Sequence, residues 1–219
     1  MLKAIFFDAD NTLYDTGMIS KAADTAAMKV MAARANAPHK RLYREWLEIV
    51  DRVKNSKNPR IRHRRYSYGL LGHRHGVKHI EPAYRAFFRI IRKNIRPFPG
   101  AEAAIKDLRK QYKLFVFTDD PRNQTNAKLK KTGLKKYFRQ IVSSDDTDVM
   151  KPSGKFFVKA MRKYGLRPSD CLVVGDDYEK DILPAKRLGI KTIVFRNKKR
   201  GADYSARSYG ELMRIMKWL

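Results

Sequence analysis

Four short apolar runs, far apart in the chain, each end abruptly in polar residues. KAIFF closes on Asp8 and Asp10, KLFVF on Thr118, QIV leads through SSDDTDVM to Lys151, and CLVVG closes on Asp176, Asp177 and Asp181. Short runs that are apolar throughout, rather than alternating, are strands buried on both faces, the pattern of a parallel sheet covered by helices. Helical patterns fill the intervals: Ala101, Ala104, Ile105 and Leu108, then Phe156 to Tyr164, Ile182 to Leu188 and Leu212 to Trp218, with a further strand over Thr192 to Phe195. Such alternation builds βαβ units. The predicted fold is therefore α/β, a Rossmann-like parallel sheet core with helices on both faces. In an open sheet of this type the carboxyl ends of neighbouring strands border one crevice, so residues more than 160 positions apart meet there.

The interval between the first and second strand is different, being helical throughout. Ile19, Ala22, Ala23, Ala26, Val30 and Ala33 recur at helical spacing, and so do Leu42, Trp46, Ile49, Val50 and Val53. Ser56 to Arg65 is basic and contains Pro59, which predicts a loop leading into a third helix, and Tyr84, Phe87, Phe88, Ile91 and Ile95 form a fourth stripe. Pro97, Pro99 and Gly100 end the helical pattern. Residues 16–97 are thus read as a small α-helical subdomain, inserted into a core made of 1–15 and 98–219.

Charge and cysteine usage narrow the classes of function. The 219 residues carry 49 Lys and Arg against 22 Asp and Glu, a net charge of +27. Charge on this scale attracts anionic partners and says nothing about fold. The excess is densest between Thr16 and Phe98, which also holds the five histidines His39, His63, His73, His75 and His79. No cysteine accompanies them and no H-E-x-x-H pattern is present, so they read as a solvated basic face or a contact for an anionic substrate rather than a metal site. The single cysteine, Cys171, heads an apolar strand and has no intrachain disulfide partner, which favours a reducing compartment. The apolar run after Lys3 is too short for a signal peptide or a membrane span, so a soluble, cytoplasmic protein is expected.

Carboxylates, one hydroxyl and one ammonium sharing a crevice suit magnesium-assisted attack on phosphorus better than they suit a packed core. Asp8, at a strand's carboxyl end, is the candidate nucleophile and would carry an aspartyl-phosphate. Asp10, two residues on and facing the same side, is the candidate acid and base: it protonates the leaving alkoxide and then deprotonates the attacking water. Asp176, directly after the LVVG strand, offers the hard oxygen that Mg2+ prefers. Asn11 tolerates left-handed backbone and suits a sharp turn. Tyr14 either lines a substrate mouth or packs in the interior. Asp120, before Pro121, reads as a helix N-cap, while Asp119 has no assigned role beyond a requirement to turn away from a bound phosphate.

In order, DADNTL, FTDD, KP and GDDYEKD resemble the haloacid dehalogenase-like (HAD) hydrolase superfamily, over essentially the whole chain. The resemblance implies that the helical insertion is a cap and that the activity is phosphatase, because family members that cleave carbon–halogen bonds typically lack the second aspartate. It implies that Thr118 binds a phosphoryl oxygen and that Lys151 pairs with Asp8 and the phosphoryl group. It also implies that Asp8, the backbone carbonyl of Asp10, Asp176 and Asp181 hold Mg2+, with Asp177 competing with Asp181 for the last place. The expected function is hydrolysis of a small anionic phosphorylated metabolite. The alternative is a nucleic-acid-associated protein, or a phosphatase of nucleotides or nucleic-acid ends, that uses basic stretches such as RIRHRRYSYG; nucleic acid is the less favoured partner.

Overall fold

The computed structural model describes every residue except 55, 57–60, 62, 148 and 198–200. The chain divides into two compact units, Thr16–Ile95 and Met1–Asp15 with Arg96–Leu219. No helix among the described residues is long and apolar enough to cross a membrane.

The first unit is helical: α1 (Gly17–Ala35), α2 (His39–Val53), α3 (Arg64–Arg74) and α4 (Glu81–Asn94). Left-handed Asn36, with φ of 48°, ends α1. Helix α1 buries Ala23, Asp24, Ala27, Met28, Met31 and Ala32, whereas Ala22 and Ala33 of the predicted stripe are exposed. Alanine recurs on several faces of this helix, so spacing alone is degenerate; the bulk of Met28 and Met31 and the anchoring of Asp24 select the buried face. Asp24 accepts from Arg64 Nε at 2.7 Å and Nη2 at 3.1 Å, and from the Tyr68 hydroxyl at 2.9 Å. Around this pair lie Trp46, whose indole N–H donates to Ser67 Oγ at 2.9 Å, and Phe87, 4.2 Å below the Arg64 guanidinium. Arg65 pairs with Glu81. Two cations of the RIRHRRYSYG stretch are therefore tied into the helical unit; its Arg60 and Arg62, with Pro59 of the predicted loop, lie outside the described residues.

In the second unit, β1 (Ala4–Asp8), β2 (Lys113–Thr118), β3 (Gln140–Ser143), β4 (Cys171–Gly175), β5 (Lys191–Phe195) and β6 (Tyr204–Ala206) form one parallel sheet in the order β3-β2-β1-β4-β5-β6. The chain leaves β1 toward one edge, returns to β4 on its other side and proceeds to the opposite edge. The strand order reverses between β1 and β4, which opens a crevice beyond their carboxyl ends. Every residue of β1 and β4 is buried, as the apolar runs Ala4–Phe7 and Cys171–Val174 require. The helices are α5 (Ala101–Leu108), α6 (Arg122–Lys131), α7 (Lys155–Tyr164), α8 (Leu183–Arg187) and α9 (Tyr209–Met216), with one further turn at Ser144–Thr147.

Alternation along the strands sends Phe6, Phe115, Phe117 and Val173 to one face, where α7 supplies Phe156, Phe157 and Met161. Phe6 stacks on Phe115 with centroids 4.9 Å apart and meets Phe157 edge-on at 5.7 Å. The opposite face carries Phe7 against Phe138 and Phe195 against Tyr209 of α9. One element departs from the sequence reading. β6 has only Ala206 buried, and so lacks the apolar run that marks the other strands. The helix predicted over Ile182 to Leu188 is present as α8, with Pro184 in its first turn, and a π-helical turn, Tyr178–Ile182, runs directly into it.

Asp24→Ala should lower the stability of the protein by about 3 kcal/mol in chemical denaturation, since it strands the Arg64 guanidinium and the Tyr68 hydroxyl. Asp51→Ala, which removes a solvent-exposed partner of Lys54, should cost within about 0.5 kcal/mol. Equal effects would show that Asp24 does not anchor the unit.

Candidate active site

The loop after β1 turns at once. Asn11 has φ of 61°, its N–H donates to Tyr14 O at 2.8 Å, and Leu13 N–H donates to Ala9 O at 2.9 Å. From below, the Tyr209 hydroxyl donates to Thr12 O at 2.9 Å. Asp8 is left buried at the strand end and Asp10 partly exposed above it. Parallel register sets Asp8 beside Phe117 and Phe7 beside Val174, so Thr118 and Asp176 follow within a residue or two on either side. Asp8, Asp10, Thr118, Lys151, Asp176 and Asp181 all line one cavity of about 190 Å³. All six residues singled out in the sequence thus meet in one place.

Lys151 lies at the centre of the buried part of this cavity. Its Nζ donates to Asp8 Oδ1 and, at 2.9 Å, to Asp181 Oδ1, and it stands 4.3 Å from the centroid of the Phe117 ring. Its backbone N–H donates to Asp119 Oδ1 at 2.7 Å. Asp119 thereby holds the lysine loop by its backbone, while still lining the cavity. Ser144 Oγ ties the same loop to Asp119 O at 2.9 Å. Thr118 is buried, and its Oγ1 accepts from Asp120 N–H at 3.1 Å.

Beyond β4, Gly175 decides which acid joins Asp176. The carboxylate of Asp181 occupies the space that a side chain at position 175 would fill. Asp181 Oδ2 also accepts from Asp177 N–H at 3.1 Å. Asp177 instead caps the π-helical turn, accepting from the N–H groups of Glu179 and Lys180 at 3.0 and 3.1 Å. Asp8, Asp176 and Asp181 each present an oxygen within 4.8 Å of the others, the only metal-competent group of three or more His, Cys, Asp or Glu among the described residues. The histidines form none; His75 pairs with Glu45 at 2.6 Å.

Burial sets the electrostatics. It pushes the Asp8 carboxyl up to about 7 against the lowering pull of the Lys151 ammonium, and pushes Asp176 up to about 7, with the Asp8 charge adding to the rise. Asp181 is raised by the same desolvation. Burial works against the Lys151 ammonium too, but the Asp181 and Asp8 carboxylates outweigh it and hold the lysine charged. Three carboxyls that resist ionisation together, offering only hard oxygens, fit a small divalent cation such as Mg2+.

A second buried lysine escapes the sequence reading. Lys128 of α6 is 4% exposed and donates to Asp10 Oδ1 and Oδ2 at 2.6 and 2.7 Å and to Asp120 Oδ2 at 2.7 Å. Its signal lies in helical periodicity: Thr125, Lys128, Leu129 and Thr132, at i, i+3, i+4 and i+7, are all buried. This overturns the N-cap reading of Asp120. The helix begins at Arg122, with Pro121 in the capping position, and Asp145 Oδ2 accepts the Arg122 N–H at 2.8 Å. Asp120, freed from capping, pairs with Lys128. Of the two readings of Tyr14, packing holds: the residue is fully buried, its hydroxyl has no hydrogen-bond partner among the described residues and its ring centroid lies 5.4 Å from Lys128 Nζ.

A family profile described as haloacid dehalogenase-like hydrolase matches residues 2–189. The chain is 30% identical over 207 residues to a protein of Methanopyrus kandleri named glyceraldehyde 3-phosphate phosphatase, an alignment covering 91% of this chain and 86% of that protein. In structure it is similar to a HAD phosphatase from Thermococcus onnurineus, with a TM-score of 0.81, 24% identity and 98% of each chain covered. It is also similar to a 2-haloacid dehalogenase from Pseudomonas syringae, with a TM-score of 0.78, 23% identity and full coverage of both chains. Two chemistries thus share this fold, and only the site residues distinguish them.

The raised carboxyl of Asp176 has a consequence for stability. An unfolded aspartate releases its proton near pH 4, so between there and about pH 7 the folded protein holds a proton that the unfolded chain has lost. Folding is favoured at the acid end of that window, and the contribution is lost as pH rises through 7. In the presence of chelator, Asp176→Asn should therefore raise the Tm at pH 8 and raise it less at pH 5. A lower Tm at pH 8, or the same gain at both, would contradict this.

Proposed function

The chain belongs to the haloacid dehalogenase-like hydrolases, and from that premise we propose that it is a magnesium-dependent phosphomonoester hydrolase, acting on a small anionic phosphorylated metabolite through an aspartyl-phosphate on Asp8. The observation that carries this reading is the company of Asp8: a buried carboxylate against the Lys151 ammonium, beside Asp176 and Asp181, with a second aspartate two residues on. Family members acting on carbon–halogen bonds resemble this pattern but typically lack that second aspartate, so Asp10 favours phosphorus.

In the proposed mechanism Asp8 Oδ attacks phosphorus, the bond to the ester oxygen breaks and Asp10 gives that oxygen its proton, releasing the alcohol. Water then attacks the phosphorus of the aspartyl-phosphate while Asp10 takes its proton, freeing phosphate and Asp8. Splitting one displacement into two places the same carboxylate on either side of both steps. Thr118 Oγ and neighbouring backbone N–H groups receive phosphoryl oxygens as charge builds. The Lys151 ammonium offsets the repulsion between the Asp8 carboxylate and an incoming dianion. Asp8, the backbone carbonyl of Asp10, Asp176 and Asp181 would hold Mg2+, and the ion would supply the positive charge that lets these carboxylates ionise together.

The substrate class rests on three supports. Relatives are named phosphatases of a small phosphorylated compound, the cavity of about 190 Å³ has room for a phosphoryl group, and a net charge of +27 gathers anions over long range. The helical unit is assigned the family's cap role, the choice of substrate. A single buried, unpaired Cys171 suits a cytoplasmic protein.

Phosphate release from a panel of small phosphomonoesters tests the proposal. Activity should require Mg2+ and stop on chelation, and Asp8→Asn should lower kcat at least about a thousandfold without loss of fold. An Asp8→Asn enzyme that keeps near wild-type turnover would refute the covalent role.

A further inference from the structure

We infer that Lys128 is a positioning residue for the reaction: its buried ammonium clamps the Asp10 carboxylate by both oxygens, and Asp120 fixes the clamp. The inference rests on the hydrolytic role proposed for Asp10 and goes beyond it in naming what holds that carboxylate.

Three observations carry it. An ammonium has three N–H donors, and here three short contacts, at 2.6, 2.7 and 2.7 Å, account for all of them. The donors are spent on two carboxylates from different loops, one after β1 and one after β2, so the position of Nζ is fixed by Asp120 as well as by the helix that carries it. Asp10, in turn, has no other side-chain hydrogen-bond partner among the described residues. Its side chain is 31% exposed and faces the cavity, while the lysine beneath it is 4% exposed. The pair therefore couples a buried, immobile cation to a carboxylate at the surface of the cleft.

A purely architectural ion pair does not explain this arrangement. Packing alone does not call for a lysine here, since an apolar residue would fill the same place on the buried face of α6 beside Leu129, and a buried ion pair is often no more stabilising than apolar residues of similar volume. What the lysine adds is orientation. A general acid must stand within hydrogen-bond reach of the leaving oxygen, and an aspartate on a tight loop otherwise has free χ1 and χ2 rotation. Held by both oxygens, the Asp10 carboxylate rests in one orientation, and when it takes up from solvent, at one oxygen, the proton it gives to the leaving group, the other oxygen keeps the contact. The same ammonium also screens the Asp10 and Asp120 charges from an arriving phosphate.

The test compares an alkyl phosphomonoester, whose leaving group needs a proton, with p-nitrophenyl phosphate, whose leaving group does not. Lys128→Met should reduce kcat on the alkyl ester about tenfold more than on the aryl ester, with KM for either changing less than about threefold. Lys128→Arg should recover part of the alkyl rate. Asp10→Asn should show the same split, and the double variant should be no slower than Asp10→Asn alone, because a clamp has nothing left to hold. Should Lys128→Met fail to fold, Asp120→Asn, which loosens the clamp while leaving Lys128 in place, should give a smaller split in the same direction. Equal losses on both esters, a change confined to KM, or additive losses in the double variant would overturn the inference while leaving the hydrolase reading intact. A wild-type protein that hydrolyses neither ester would overturn both.

Discussion

Burying several carboxylates together is the constraint on which the rest of the core unit depends. Strand order brings the segments that carry Asp8, Asp176 and Asp181 together, since β1 and β4 are neighbours although their sequences lie far apart, and an oxygen of each carboxylate lies within 4.8 Å of the others. Like charges in a desolvated cleft do not coexist without a cation. One is built in: Lys151, donating to both Asp8 and Asp181. Much of the local architecture serves that lysine. Asp119 holds its backbone, Ser144 holds Asp119, and Gly175 leaves the space into which Asp181 folds.

The cleft repeats this arrangement at its second aspartate. Lys128 bridges Asp10 and Asp120 as Lys151 bridges Asp8 and Asp181, so Asp8 and Asp10 each rest on their own buried ammonium. The two scales of charge are opposed. Over the whole surface the chain is strongly positive and draws anions in; within the cleft acids outnumber lysines, and positive charge is concentrated where phosphorus chemistry needs it. Such a cleft is costly to fold, which is the usual relation between a preorganised site and the stability of the protein around it.

How much of this was legible in the sequence follows from what each feature depends on. β1, β2, β4 and β5 are visible because strands buried on both faces must be apolar throughout, and the site residues are visible because they stand where those runs stop. β6 is hidden because burial touches only Ala206. The buried face of α1 is misjudged because alanine is nearly neutral between faces. Asp120 has the sequence of an N-cap, yet the helix starts a residue later than that reading needs and Asp145, from another loop, caps it. Asp177 and Asp181 are equivalent as letters, and only the absence of a side chain at Gly175 separates them. Lys128 is one of four lysines and arginines in the ten residues of α6, and its burial depends on packing that no single position announces.

The central claim is that four strand ends make Asp8 a nucleophile toward phosphorus. Turning over a radiolabelled small phosphomonoester with Mg2+, quenching in acid and mapping the labelled peptides tests it most directly. The account predicts label on the peptide containing Asp8, acid-stable, lost on treatment with hydroxylamine and absent from Asp8→Asn. Steady phosphate release with no label on that peptide, at quench times shorter than one turnover, would contradict it.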